Sequence, residues 1–137
     1  MGTWDAGPFD NDTAADWCGD LQDADPVDRP AIIEQAFATI LQEPGYVDHD
    51  IAAEAIAAAA ILAGHRPGGP AIESPYAPDF LTEGGRLALD ARLDGLALRA
   101  LDRITAKESE WRELWDETGL LDAAVAELAS IRAALGA

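Results

Sequence analysis

The chain of 137 residues has one cysteine, two histidines and a single lysine, and each scarcity closes off a class of function. With Cys18 alone there is no internal disulfide and no thiolate cluster, and its place on an apolar helical stripe marks a buried free thiol in a reducing compartment rather than a nucleophile. His49 and His65 flank one long apolar segment, so a helix there holds them about 20 Å or more apart and they form no pair. There is no Ser-His-Asp or Cys-His order and no H-E-x-x-H. Gly68-Gly69 lacks both the upstream strand and the following lysine of a phosphate-cradling loop. These absences weigh against an enzyme and leave no cofactor to expect.

Long hydrophobic runs are missing as well. The longest, Ile51 to Ala63, contains Glu54 and falls short of the roughly 20 residues of a membrane span. No basic and apolar leader opens the chain, and Ala6 stands where myristoylation needs Ser or Thr. The expectation is a cytoplasmic protein that meets no membrane. Positive charge is scarce: nine basic residues face 26 acidic ones, for a net charge of −17, and eight aspartates precede the first cation, Arg29. Such a field repels nucleic acid phosphates and draws basic partners. It also keeps a chain rich in Ala and Leu soluble, and both readings stay open. Arginine outnumbers lysine eight to one, which fits a GC-rich bacterial coding bias.

What is present is helical period. Ala14, Trp17, Cys18 and Leu21 form one apolar stripe, with Asp12, Asp16, Asp20 and Asp23 opposite. Asp28 is a candidate cap for a second helix, with Pro30 in its first turn and Pro44-Gly45 as its stop. A third helix starts at Asp48 or Asp50 and is apolar nearly all round, which places it at the centre, with Gly64 as its C′ residue. The stretch from Gly64 to Pro78 contains four prolines and reads as a long surface connection, followed by a short turn of helix at Asp79 to Thr82. Asp90 caps a fourth main helix, within which Gly95 predicts a close helix contact. A fifth helix, from about Glu108 to Glu117, puts Trp111, Leu114 and Trp115 on one face and ends at Gly119. The last, capped by Asp122, buries Val125, Leu128, Ile131 and Leu135. No alternating β-branched run occurs. The fold class is all-α, a compact single-domain bundle of about six helices over residues 1–137.

The opening residues stand apart from this pattern. Gly7-Pro8 forces a bend; Asp10 is the candidate N-cap of the first helix, with Asn11 and Asp12 in its first turn, and Phe9 and Ala14 are placed as a hydrophobic staple. The run Met1-Gly2-Thr3-Trp4, then Gly7-Pro8-Phe9-Asp10-Asn11-Asp12 and Ala15-Asp16-Trp17, resembles the start of a bacterial family known only as a domain of unknown function, whose members open M-G-x-W-G-x-G-P-F-D-N-D. Ala97 to Ile104 and Glu110 to Glu117 are similar to its C-terminal half. Asp5 departs from the glycine frequent there. The resemblance spans nearly the whole chain and implies no activity.

Beside the two histidines, two groups could carry chemistry. Asp10, Asp12 and Asp16 are of the type that gathers a hard cation, but the glycine and closing glutamate of a calcium loop are missing, and caps with a solvated face account for the same residues. Glu54, alone in an apolar helix, must find donors or shift its pKa. The expected donors are in the amino-terminal segment near Trp4, so Glu54→Leu should do more damage than Glu54→Gln. The reading that follows is an acidic protein-binding module, an inhibitor or immunity-type protein for a basic partner, binding through Asp10, Asn11, Asp12, Asp16, Asp20 and Glu54. A carboxylate-dependent, metal-assisted enzyme and a structural subunit without activity are the alternatives. The oligomeric state is not encoded in any of these patterns.

Trp4 and Phe9 are large apolar side chains in a stretch without helical period, so they gain only by docking onto the bundle, and losing a buried aromatic costs about 3 to 5 kcal/mol. Deleting residues 2 to 9 should lower the melting temperature severely. A truncated chain that melts within a few degrees of the full one would make the segment a tail.

Overall fold

Each apolar period becomes a helix. The computed structural model describes residues 11–70, 72, 77–83 and 85–136. Among them lie α1 (Asp12–Asp23), a 3-10 turn (Pro26–Asp28), α2 (Arg29–Gln42), α3 (His49–Gly64), α4 (Asp79–Thr82), α5 (Arg92–Thr105), α6 (Glu110–Thr118) and α7 (Leu121–Ala134), with no strand. The lead-in from Trp4 to Phe9 lies outside the described residues.

The bundle is built around α3. Eleven of its sixteen residues are buried, because a helix of Ala, Ile and Leu has no polar side to give to water. α1, α2, α5, α6 and α7 all pack against it. They cover it with their apolar stripes: Ala14, Trp17, Cys18 and Leu21 from α1, Ile33, Ala36, Phe37 and Ile40 from α2, and Leu93, Ala97, Ala100, Leu101 and Ile104 from α5. Among the described residues no helix is long and apolar enough to cross a membrane.

Helix ends leave carbonyls without partners, and arginines supply the donors. Arg29 donates to the Leu21 and Gln22 carbonyls at 3.0 and 2.8 Å at the end of α1, while its guanidinium lies 3.8 Å over the Phe80 ring. Arg103 reaches the Glu43 and Gly45 carbonyls beyond α2, at 2.8 and 2.9 Å. Arg112 closes α5 through the Thr105 carbonyl at 2.7 Å. A charged donor makes such bonds worth about 1.5 to 3 kcal/mol each.

Several boundaries differ from the sequence reading. The cap of α1 is Asn11, not Asp10: its side chain accepts from the Ala14 amide at 2.8 Å. Gly64 lies within α3, and His65 is the cap. The glycine is needed for space, since a Cβ there would sit 2.6 Å from Ile72 Cγ1. Asp90 acts one residue outside the cap Ala91, accepting from the Arg92 amide at 2.9 Å. α6 begins at Glu110 behind Ser109, a fully buried serine whose hydroxyl accepts from the Arg112 amide. Gly119 ends it with φ +76°, a conformation that glycine adopts without strain. α7 starts at Leu121 with Asp122 in its first turn; Ala124 is buried there and Val125 is 38% exposed. The inward stripe is Ala124, Leu128, Ile131 and Leu135, and Val125 sits one residue round the helix from it.

Gly95 carries no close helix contact, because a Cβ added to it meets nothing within 4 Å. Gly95→Ala should therefore stabilise the protein by about 0.5 to 1 kcal/mol, whereas Gly64→Ala should destabilise it by pressing on Ile72. Urea melts of the two variants check both signs. A loss of stability for Gly95→Ala would mean that something covers this face of α5.

Candidate functional site

The first turns of three helices meet at one end of α3. Val47 and Ser109 form an isolated parallel bridge, the Val47 amide donating to the Glu108 carbonyl and the Glu110 amide to the Val47 carbonyl, each at 2.9 Å. That bridge sets the start of α6 beside the start of α3, and the Glu110 carboxylate accepts from the His49 amide at 2.7 Å. A carboxylate from one helix thus caps another, where the positive end of the dipole favours it. α1 is tied to the same place by the Thr13 hydroxyl, which donates to Asp50 Oδ1 at 3.0 Å.

Between these three ends lies a hollow of about 570 Å³ lined by Asn11, Asp12, Thr13, Asp48, His49, Asp50, Glu110 and Leu114. The His49 side chain is 14% exposed, and its Nδ1 is 3.8 Å from Asp50 Oδ1. Asp48, His49, Asp50 and Glu110 are absent from the sequence-based site. Each was legible only as a first-turn residue of its own helix. What joins them is the bridge between positions 47 and 109, which no local pattern signals. Among the described residues no three His, Cys, Asp or Glu side chains gather closely enough to hold a metal ion.

Of the expected binding residues, Asn11 and Asp12 line the hollow, while Asp16 and Asp20 run away from it along the outer face of α1 with Asp23. Asp10 lies outside the described residues. All four aspartates of the α1 stripe are exposed. Glu54 sits partly buried on α3, and burial, reinforced by the charges of Asp50 and Asp20, pushes its carboxyl above the ordinary value. Its expected donors in the amino-terminal segment lie outside the described residues. One negative surface therefore runs from the hollow across α1 and α3.

No described cation answers that surface. The arginine ion pairs are Arg66 with Asp94, Arg92 with Glu34 and Arg132 with Asp102, and none involves an acid of α1. Cys18 takes no part, because burial raises its thiol to about 12 and suppresses the thiolate.

A family model described as Domain of unknown function (DUF4259) matches residues 2–127. No curated protein and no solved structure is similar to the chain.

Since the carboxyl of Glu54 is raised in the folded state, the fold binds more protons there than the unfolded chain does. The associated stability is present at acid pH and is lost as pH rises through the folded value. Glu54→Gln should accordingly raise the melting temperature at pH 7, with the gain vanishing near pH 4. A melting temperature that falls at pH 7 would show that the charged carboxylate is held by donors stronger than the repulsion of Asp20 and Asp50.

Proposed function

The chain belongs to the DUF4259 family of domains of unknown function, and on its own geometry we propose that it is an acidic protein-binding module for a basic partner. The observation that carries the reading is the α1 stripe. Asp12, Asp16 and Asp20 repeat at i, i+4 and i+8 on an exposed face. Like charges at this spacing destabilise a helix by about 0.2 to 0.5 kcal/mol per pair. The stripe thus works against α1 and gains nothing from Arg29, Arg66, Arg92, Arg103, Arg112 or Arg132, which bond to carbonyls and to other acids. A basic surface would offset the repulsion, in the manner of an inhibitor or immunity-type protein on a basic active site. The reading takes Asp10 with the stripe, because it stands next to Asn11 and Asp12 in the sequence. The single buried thiol and the arginine-rich coding bias support a bacterial cytoplasm as its setting.

A second reading has its own observation. The hollow beside His49 is bordered by the carboxylates of Asp12, Asp48, Asp50 and Glu110, and a carboxylate-dependent enzyme would place its acids around such a cleft.

The stripe is tested by immobilising the chain, passing native lysate over it, and identifying the retained proteins by mass spectrometry. Basic proteins should be captured at 0.1 M salt and released at 1 M, where the Debye length falls from about 10 Å to about 3 Å. Asp12→Asn, Asp16→Asn, Asp20→Asn and Asp23→Asn together should abolish capture and slow association, with little change in stability. If the quadruple variant keeps every partner, the charge serves solubility alone.

A further inference from the structure

The other end of α3 carries the second histidine, and its two ring nitrogens are both engaged. Nδ1 lies 2.8 Å from the Ile61 carbonyl, and Nε2 lies 3.0 Å from the Leu87 amide. A carbonyl oxygen only accepts and an amide N–H only donates. Nδ1 must therefore carry the proton and Nε2 must be bare, so this pair of bonds exists only for the neutral ring.

We propose that His65 is an acid-released latch: while neutral it pins the irregular segment 85–90 to the end of α3, and a proton gained at Nε2 frees that segment with the apolar side chains it holds down. Protonation turns Nε2 from acceptor to donor and sets two N–H groups against each other. The Ile61 bond survives, because Nδ1 keeps its proton. The Leu87 bond does not.

The segment has other anchors, and they determine how far it opens. Arg66 donates to the Leu89 and Asp90 carbonyls at 3.2 and 3.1 Å and is paired with Asp94 at 2.8 Å. These hold the far end of the segment to α5. At the near end, the Gly85 amide donates to the Phe80 carbonyl at 2.7 Å. Release of Leu87 therefore opens a loop fixed at both ends. Leu87 and Leu89 are partly buried against the core, and opening turns them toward solvent, giving the protein an apolar surface in acid that it lacks at neutral pH.

The surroundings set the direction of titration. Burial first, then the positive charges of Arg86 and Arg66, hold the ring below its ordinary value, while the Ile61 carbonyl acts the other way. Asp94 answers Arg66, Asp90 accepts from the Arg92 amide, and Arg92 is paired with Glu34. Among the described residues no carboxylate lies in ion-pair reach of the ring. A histidine depressed in the folded state stabilises the fold above its unfolded value of about 6.5, and that stability is lost as pH falls through the folded value. The latch opens below that pH.

Hydrogen exchange read by NMR on the full chain tests this. With the imidazole midpoint read first by NMR, protection of the Leu87 amide, corrected for the intrinsic pH dependence of exchange, should fall at least tenfold between pH 7.5 and one unit below that midpoint, while core amides of α3 stay protected. In His65→Gln, which cannot titrate, Leu87 protection should not change over that range. A wild-type Leu87 amide equally protected at both pH values overturns the proposal, as does a pH dependence that persists in the variant. If the variant does not fold, the wild-type imidazole nitrogens decide. A proton on Nδ1 at pH 7.5 and a midpoint below 6.5 support the latch; a proton on Nε2 instead, or a midpoint at or above 6.5, overturns it.

Discussion

Everything in this molecule answers to the burial of α3. A helix of alanines, isoleucines and leucines offers water no face, so five other helices must be brought to it, and its small side chains allow their backbones to come near. The cost of that design falls at the helix ends, where unpaired amides and carbonyls sit close to a dry interior and must find partners. At the amino end the partner comes from Glu110, sixty-one positions away in sequence. At the carboxyl end it is His65 and Arg66. Apart from Glu54, the polar side chains of interest lie at these two ends because the middle of the helix is buried among apolar neighbours.

The same constraint governs the charges. Helix termini around a buried axis need strong donors, and arginine is the donor with reach. Arg29, Arg66, Arg103 and Arg112 are each committed to backbone carbonyls, while Arg92 and Arg132 are committed to acids on α2 and α5. Most of the scarce positive charge is therefore spent on holding helices together. The negative surface of α1 and α3 is what remains when cations are few and the bundle uses them. This is why the acidic stripe of α1 bears on association more than on folding: Asp12, Asp16, Asp20 and Asp23 have no ion-pair partner among the described residues to lose.

Helix number, order and buried faces were legible in the sequence because apolar period is a local signal that a central apolar helix reinforces. Ala14, Trp17, Cys18 and Leu21 could be placed on the inward side of α1 from spacing alone. Capping was less legible, since Asp10, Asn11 and Asp12 all have the chemistry of a cap and only backbone geometry selects Asn11. Ser109 was invisible for a related reason, sitting between Glu108 and Glu110, either of which suits the start of a helix. The hollow at His49 could not be read, because it depends on a two-residue bridge between distant segments. Gly95 misled through a sound rule: glycine inside a helix often marks close packing, yet here the face is open. Gly64 was the position where the space was needed.

The two ends of α3 respond to acid in opposite senses. At the amino half, a proton on Glu54 relieves the repulsion of Asp20 and Asp50, so falling pH stabilises the fold and weakens the field that would hold a basic partner. At the carboxyl end, a proton on His65 removes a bond and costs stability. Burial and like charge raise Glu54 above the ordinary carboxylate value of about 4.3, and burial lowers His65 below the ordinary histidine value of about 6.5, so both take up protons as pH falls from neutral but with opposite effects on stability. A thermal melt reads only the sum of these two opposed contributions. Eleven positions of helix separate Glu54 from His65, about 16 Å at 1.5 Å per residue, which keeps the groups beyond direct electrostatic contact in physiological salt. They titrate as independent sites on one rigid rod, and only a probe local to each end separates the neutralisation of the acidic face from the opening of the 85–90 segment.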